Sequence, residues 1–380
     1  MKVLFVAHDS LKGGSGRCLY EFILQLKKED EITPVVLVHN KNSLYDSLRE
    51  KGVETYYCRF GYTCSSSKSR WKFLFWKYIY RNLANFWAYL FLLLKVDLKS
   101  VDLIHSNSVI IDFGAFLHRR TGIPHIWHVR EFARKDFGLK PFFSCLPKYM
   151  EKNAEKIISV SNAVRQDYLA NGGSSDKIQC IYDGVVGFDY LNRNRKKYDI
   201  DSLKIIMIGR FSDEKGQIYA IRALRKMNLK GLGSVQLDFY GMGKNESILK
   251  QEVQNLGLEK NVRFCGFSNH LNEVLCEYDV GLVLSSAEGF GRTTVEYMLS
   301  GLYVIGSNTG ATPELLGNGW CGSLVPFANA DAVAEELEKI LLNKSLYKEK
   351  ADAGRLFARE NFCIENNYKK IVQTIKAIFR

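Results

Sequence analysis

The sequence predicts an α/β protein made of two doubly wound parallel sheets, and three observations carry that prediction. Short apolar runs alternate with helix-spaced segments almost throughout the chain. The alternation pauses at one polar stretch around YLNRNRKKYDIDS, near residues 187–202, and then restarts, which divides the chain in two. The 380 residues also suit two domains of roughly 150–200 residues better than a single core.

Taken in order, KVLFVAH reads as a buried strand, RCLYEFILQLKK as an amphipathic helix and ITPVVLVHN as the next strand. VDLIHSNS, HIWHV and KIISVS repeat the strand signal in the first half. LKIIMIGR, VQLDFYG, NVRFCGF, VGLVLSS, YVIGSN and CGSLVP carry it through the second half. In such sheets ligands bind beyond the carboxyl ends of the strands, so the loops that follow strands are where chemistry is expected. The sequence shows no short-period repeat and no low-complexity tract.

One segment breaks the alternation. RWKFLFWKYIYRNLANFWAYLFLLLK is dense in aromatics and punctuated by Lys72, Lys77, Arg81 and Lys95. Its cleanest apolar run, Leu83 to Leu94, falls short of the roughly 20 residues a spanning helix needs. Two readings are open for Trp71–Lys95: an in-plane helix on an anionic membrane, or a core helix with its aromatics turned inward.

A formal net charge of +12 points to an anionic partner, whether nucleic acid, membrane surface or phosphorylated substrate, or else to a solvated basic surface. No zinc-finger spacing or nucleic-acid motif is present, so a nucleic-acid partner is not expected. The nine cysteines are scattered with no C-x-x-C pair, which predicts reduced thiols and no zinc site. MKVLFVAHDS lacks a long apolar h-region and a cleavage site, so no signal peptide and a cytoplasmic location are expected.

Three loops invite a phosphate-bearing ligand. GGSG, with Gly14, Ser15 and Gly16, follows the first strand and opens the first helix, where amides and the helix dipole favour an anion; a plain tight turn is the other reading. In GRFSDEKG, Arg210 and Lys215 are placed to converge on one anion, or else to be two surface cations. In SSAEGFGRTTVEYMLSG, Glu288 sits in an elbow with Phe290 and Gly291. A helix then starts near Thr293 and Thr294, whose amides would face a phosphate, and it carries Glu296. One carboxylate for each sugar of a nucleotide sugar accounts for this spacing; two solvated acids are the alternative.

The stretch EGFGRTTVEYMLSGLYVIGSNTGATPELL resembles the signature of the retaining GT-B enzymes of glycosyltransferase family 4. GRFSDEKG, GGSG and IPHIWHVREF look like further motifs of that family, so the resemblance runs from about residue 3 to the final helix. It implies two Rossmann-like domains facing across a cleft. The first is expected at 1–186 on the acceptor side, with a C-terminal helix, about 365–380, returning to it. The second, 187–364, would bind the donor. The resemblance further implies that Arg210 and Lys215 hold the donor diphosphate, Glu296 the ribose and Glu288 the transferred sugar. His128 would face that sugar, Gly14 would close over the phosphates, and Arg130 and Glu131 would lie on the acceptor side. No metal or cofactor is implied, only a nucleotide-sugar co-substrate, by default a UDP sugar. The acceptor expected from charge and composition is a lipid-linked glycan at the membrane face, in cell-envelope polysaccharide assembly. An epimerase or phosphorylase of the same fold is the rival enzyme. Tyr297 and Tyr303 depart from the family pattern, which has a small residue and a proline there, and are expected to affect packing more than chemistry.

Overall fold

The computed structural model describes residues 1–66, 71–132, 139–185, 202–229, 234–268 and 271–379. The chain divides into two compact units, Met1–Gly184 with Ile364–Arg380, and Val185–Cys363. The expected linker at 187–202 lies outside the described residues except for Ser202.

The first unit is built on seven strands: β1 (Lys2–Ala7), β2 (Thr33–Val38), β3 (Glu54–Tyr57), β5 (Leu103–Ser106), β6 (His125–Val129), β8 (Lys156–Ser159) and β9 (Ile178–Cys180). They pair in parallel in the order β3-β2-β1-β5-β6-β8-β9. A small antiparallel pair, β4 (Cys64–Ser66) with β7 (Leu139–Pro141), stands apart. Side-chain alternation along β1 splits the core into two layers. Val3, Phe5 and Ala7 pack with Phe22, Ile23 and Leu26 of helix α1 (Gly14–Glu29) and with Tyr368, Ile371 and Ile375 of the C-terminal helix Ile364–Ala377. Leu4 and Val6 face the other way, onto Ala88, Leu92, Phe113 and Phe116. The last helix thus completes the first unit, on the far side of the second in sequence. The edge strands β3 and β9 were not readable as strands, because ETYY and IQC are too short for a period to show.

Ala88 and Leu92 belong to α3 (Trp71–Lys95), which follows α2 (Ser43–Glu50) and precedes α4 (Phe113–Thr121), α5 (Leu146–Lys152) and α6 (Asn162–Ala170). As a core helix, the segment meets the expectation only in part. It does pack on the core, but Phe75, Trp76, Tyr80, Phe86 and Trp87 point outward. Arg81 is no surface cation: it is buried, its Nε lies 3.6 Å from Asp112, and its guanidinium covers the rings of Tyr78 and Phe143 at 4.4 and 4.9 Å. Asn85 is buried beside it, accepting from the Gly61 amide and donating to Asp112, both at 2.7 Å. The Lys72 side chain lies outside the described ones. No helix among the described residues is long and apolar enough to cross a membrane.

The second unit has six parallel strands: β10 (Ser202–Ile208), β11 (Ser234–Tyr240), β12 (Val262–Gly266), β13 (Val280–Val283), β14 (Tyr303–Ser307) and β15 (Ser323–Val325). Their order is β12-β11-β10-β13-β14-β15. This order reverses between β10 and β13, where the chain leaves neighbouring strands in opposite directions and opens a crevice above their carboxyl ends. The loops that follow those two strands are the ones carrying Arg210, Lys215 and Glu288.

Candidate functional site

In the second unit the switch point brings two distant segments into contact. Lys215, at the end of the 3-10 turn Asp213–Lys215, places its Nζ 2.5 Å from Glu288 Oε1. The two loops are also joined through backbone: the Ser286 amide donates to the Glu214 carbonyl at 2.8 Å. Arg210, exposed at the strand end, has its carbonyl held by the Gln217 side chain at 3.0 Å. Glu288 is further fixed by the Ser285 hydroxyl, which donates to Oε1 at 2.6 Å, while Thr309 donates to the Ser285 carbonyl at 2.7 Å. Its backbone rests on Gly310: a Cβ there would stand 2.5 Å from the Glu288 nitrogen and oxygen, and its φ of +55° is itself a glycine conformation. The Ala311 amide closes the clamp on the Glu288 carbonyl at 2.9 Å. Ser285, Thr309 and Gly310 escaped the sequence reading. Thr309 and Gly310 come from the loop after β14, and nothing in the sequence says that this loop folds onto the elbow.

The helix Arg292–Leu299 starts after Gly291, whose φ of 92° turns the chain out of the elbow. Phe290 is packed away against Phe362 at 5.9 Å. The expectation for Thr294 is corrected here: its amide donates to the Gly291 carbonyl at 2.9 Å and is not presented to a ligand. Thr293 is partly exposed on the same turn. Glu296 is buried and paired with Arg292, whose Nε lies 2.9 Å from Oε1. A ribose diol reaching this carboxylate therefore meets one already hydrogen-bonded to a guanidinium. A cavity of about 800 Å³ in the same unit, lined by residues such as Tyr219, Arg222, Lys226 and Phe327, includes none of these groups.

In the first unit the glycine loop follows β1 at the reversal between β1 and β5. Gly14 borders open space, whereas Gly16 packs on the Ser10 carbonyl and the Ser15 hydroxyl donates to Asp9 at 2.7 Å. Arg130 is buried, its Nε 2.8 Å from Asn107 Oδ1 and its guanidinium paired with Asp183. Burial opposes the Arg130 charge, but Asp183 outweighs it and holds the pKa above the ordinary value. Glu131 turns inward, accepting from Ser108, from the Val109 amide at 3.3 Å and from the Arg130 amide at 3.0 Å. Burial raises its pKa to about 6. It pins the loop after β5 and presents no face to an acceptor.

His128 is likewise enclosed. Its ring is fully buried, edge-on to His105 at 5.3 Å, and neither ring nitrogen finds a hydrogen-bond partner among the described residues. Burial and the nearby Arg130 keep it neutral, with a pKa well below the usual histidine range. In this structure His128 is a buried, neutral imidazole and not a group open to a sugar.

Two family models between them match most of the chain. Residues 12–186 match Glycosyltransferase Family 4, and residues 191–357 match Glycosyl transferases group 1. The structure superposes on the UDP complex of Anabaena Alr3699/HepE with a TM-score of 0.80, covering 99% of this chain and 100% of that one at 20% identity. The chain belongs to the group 1 and family 4 glycosyltransferases and has the GT-B fold. Among curated relatives, this glycosyltransferase-family chain is 26% identical over 246 residues to an uncharacterized 41.2 kDa protein in the cps region of Klebsiella pneumoniae. It is 26% identical over 248 residues to the N-acetyl-alpha-D-glucosaminyl L-malate synthase of Bacillus anthracis. Those alignments cover 63% and 64% of this chain, and 66% and 64% of the relatives' own lengths. The family signature falls on the two loops of the second unit that the sheet brings together.

Proposed function

We propose that the protein transfers a sugar from a nucleoside diphosphate sugar, with UDP as the nucleotide, to a lipid-linked glycan acceptor in cell-envelope polysaccharide assembly. It works peripherally at the cytoplasmic face of a membrane. The observation that carries the donor half is the contact of Lys215 with Glu288 across the switch point, with Arg210 on the same strand end. UDP is favoured by the Anabaena complex and polysaccharide assembly by the relative from a cps region.

In this reading Arg210 and Lys215 receive the diphosphate, Glu296 the ribose and Glu288 the transferred sugar. Donor binding draws Lys215 from Glu288 towards phosphate and frees the carboxylate to face the positive charge that grows on the anomeric carbon. The acceptor hydroxyl oxygen forms its bond to that carbon as the bond to the diphosphate oxygen breaks. The hydroxyl proton leaves with the diphosphate, on the same face, so configuration is retained. Arg210 and Lys215 supply the leaving-group charge, and turnover should persist in EDTA. Loss of turnover in chelator, restored by Mg²⁺ or Mn²⁺, would overturn that part. His128 and Glu131 are enclosed and take no step in the transfer.

The test is a thermal-shift panel of nucleotide sugars, since a ligand of the native state raises the melting temperature by mass action. A UDP sugar is expected to give the largest shift, and product analysis with an acceptor present then separates transfer from epimerisation or phosphorolysis. A panel with no stabilising nucleotide sugar would refute the reading.

A further inference from the structure

Helix α3 is inside out. Its buried positions, Arg81, Asn85, Ala88 and Leu92, recur at spacings of three and four and include two polar side chains, Arg81 and Asn85. On the opposite side, Trp76, Tyr80, Leu83, Trp87 and Leu94 recur at the same helical spacing, with half-buried Leu90 completing the row. Trp76, Tyr80, Trp87 and Leu94 are 67%, 61%, 66% and 84% exposed. The row is roughly 27 Å long at 1.5 Å per residue, and Phe75, Phe86 and Leu93 widen it on one flank. Between Lys77 and Lys95 the only charged residue is the buried Arg81, so the outward face carries no charge over its whole length. Lys77 and Lys95 lie along the other flank, both exposed.

We infer that this face inserts side-on into the headgroup–acyl boundary of an anionic bilayer, held chiefly by apolar burial and oriented by the flanking lysines. The inference rests on the reading that the acceptor is lipid-linked, and it names the residues that make the membrane contact and the force that holds it. Three features favour lipid over a protein partner. The row is the uncharged side of a single helix and offers no ionic partner to a protein surface. Trp and Tyr mixed with Leu are the side chains that settle at a water–lipid boundary, where an apolar body and a polar tip are both satisfied. The flanking lysines and the net charge of +12 match an anionic leaflet.

The test is co-sedimentation with phosphatidylcholine–phosphatidylglycerol vesicles at low and high salt, using the full chain. Wild type is expected to keep most of its binding in high salt, with tryptophan emission shifted to the blue. The quadruple variant Trp76→Ser, Leu83→Ser, Trp87→Ser, Leu94→Ser should lose about a hundredfold in partitioning at either salt. Lys77→Gln with Lys95→Gln should lose less, and only at low salt. Binding abolished by salt and untouched by the serine variant would overturn the inference in favour of a purely electrostatic contact. A wild-type dimer that the serine variant converts to monomer, without vesicle binding, would overturn it in favour of a second copy of the chain. UDP-sugar thermal shifts on the same variants keep the two proposals apart. Vesicle binding without a nucleotide-sugar shift would sink the transferase reading alone, and a retained shift without vesicle binding would sink this one alone.

Discussion

Glu288 and Glu296 look alike in the sequence and are held in opposite ways. Glu288 is partly exposed and paired with a partly exposed cation, Lys215; Glu296 is buried against Arg292. Glu288→Ala should therefore slow turnover by roughly 10²–10³ with donor affinity little changed, because what it loses is charge stabilisation in the transition state. Glu296→Ala should weaken donor binding about tenfold or more, from loss of charge-assisted hydrogen bonds to the ribose. Steady-state kinetics with calorimetric donor titration separate the two, and near-wild-type behaviour in both would refute the assignment. Tyr297, a departure from the family pattern, has a compensating partner. Its ring occupies the space a Cβ on Gly281 would fill, at 2.2 Å, and its buried hydroxyl accepts from the Ile208 amide at 2.7 Å. The register of β10 with β13 covers only Ile205 and Ile206, so the phenol takes over where the ladder stops. Tyr297→Phe should cost about 1–3 kcal/mol by leaving that amide unpaired, measurable in urea unfolding, and Gly281→Ala should be destabilising for want of space.

At the scale of elements, α3 shows how a polar buried face can anchor an apolar exposed one. Arg81 and Asn85 converge on Asp112, which Tyr149 also bonds at 2.6 Å. Burial pushes the Asp112 carboxyl above its usual range in spite of Arg81. Removing one partner of a buried pair leaves the other charge uncompensated, so Arg81→Gln should cost about 3–5 kcal/mol of stability. It should leave vesicle binding by the folded protein unchanged, which equilibrium unfolding and co-sedimentation would show together. A drop in binding with unchanged stability would mean that Arg81 acts at the surface after all.

The whole molecule carries its histidines unevenly. Six of the seven fall in the first unit, and the seventh, His270, lies outside the described residues. Burial drives His39 down to about 4 and His105 and His125 to about 3, from an ordinary 6.5. Below 6.5 the unfolded chain binds more protons than the native one at these sites. Their contribution is therefore complete above that pH and drains away as the pH falls towards the native values. Each costs about 1.4 kcal/mol per pH unit once well below 6.5. Glu131, raised to about 6, opposes this by favouring the native state as it protonates, and Asp112 acts in the same sense. The histidines, with His8 and His128 also lowered, outnumber them. Acidifying from about pH 7 to about pH 5 should therefore destabilise Met1–Gly184 more than Val185–Cys363. Pulse proteolysis with mass-spectrometric mapping reads this directly, and equal loss in both units would contradict it.

Both sheets were legible in the sequence because each buried strand is an apolar run bounded by polar residues, which is a local signal. So were the places of Arg210, Lys215 and Glu288, because the loops that hold them follow strands and contain glycine where the backbone turns, and that of Glu296 on the helix that leaves the second loop. The edge strands ETYY and IQC were not legible, being shorter than any pattern can show. Nor were the clamp of Ser285, Thr309 and Gly310 on Glu288, the Arg81–Asn85–Asp112 cluster or the enclosure of His128. Each of these depends on which segments meet in the fold, and a contact between residues far apart in the chain leaves no mark in the spacing of either. The composition of α3 stated that aromatics and cations share one helix. Only tertiary packing decided which side faces out, because burying Arg81 and Asn85 becomes favourable once Asp112 and the Gly61 amide are there to meet them.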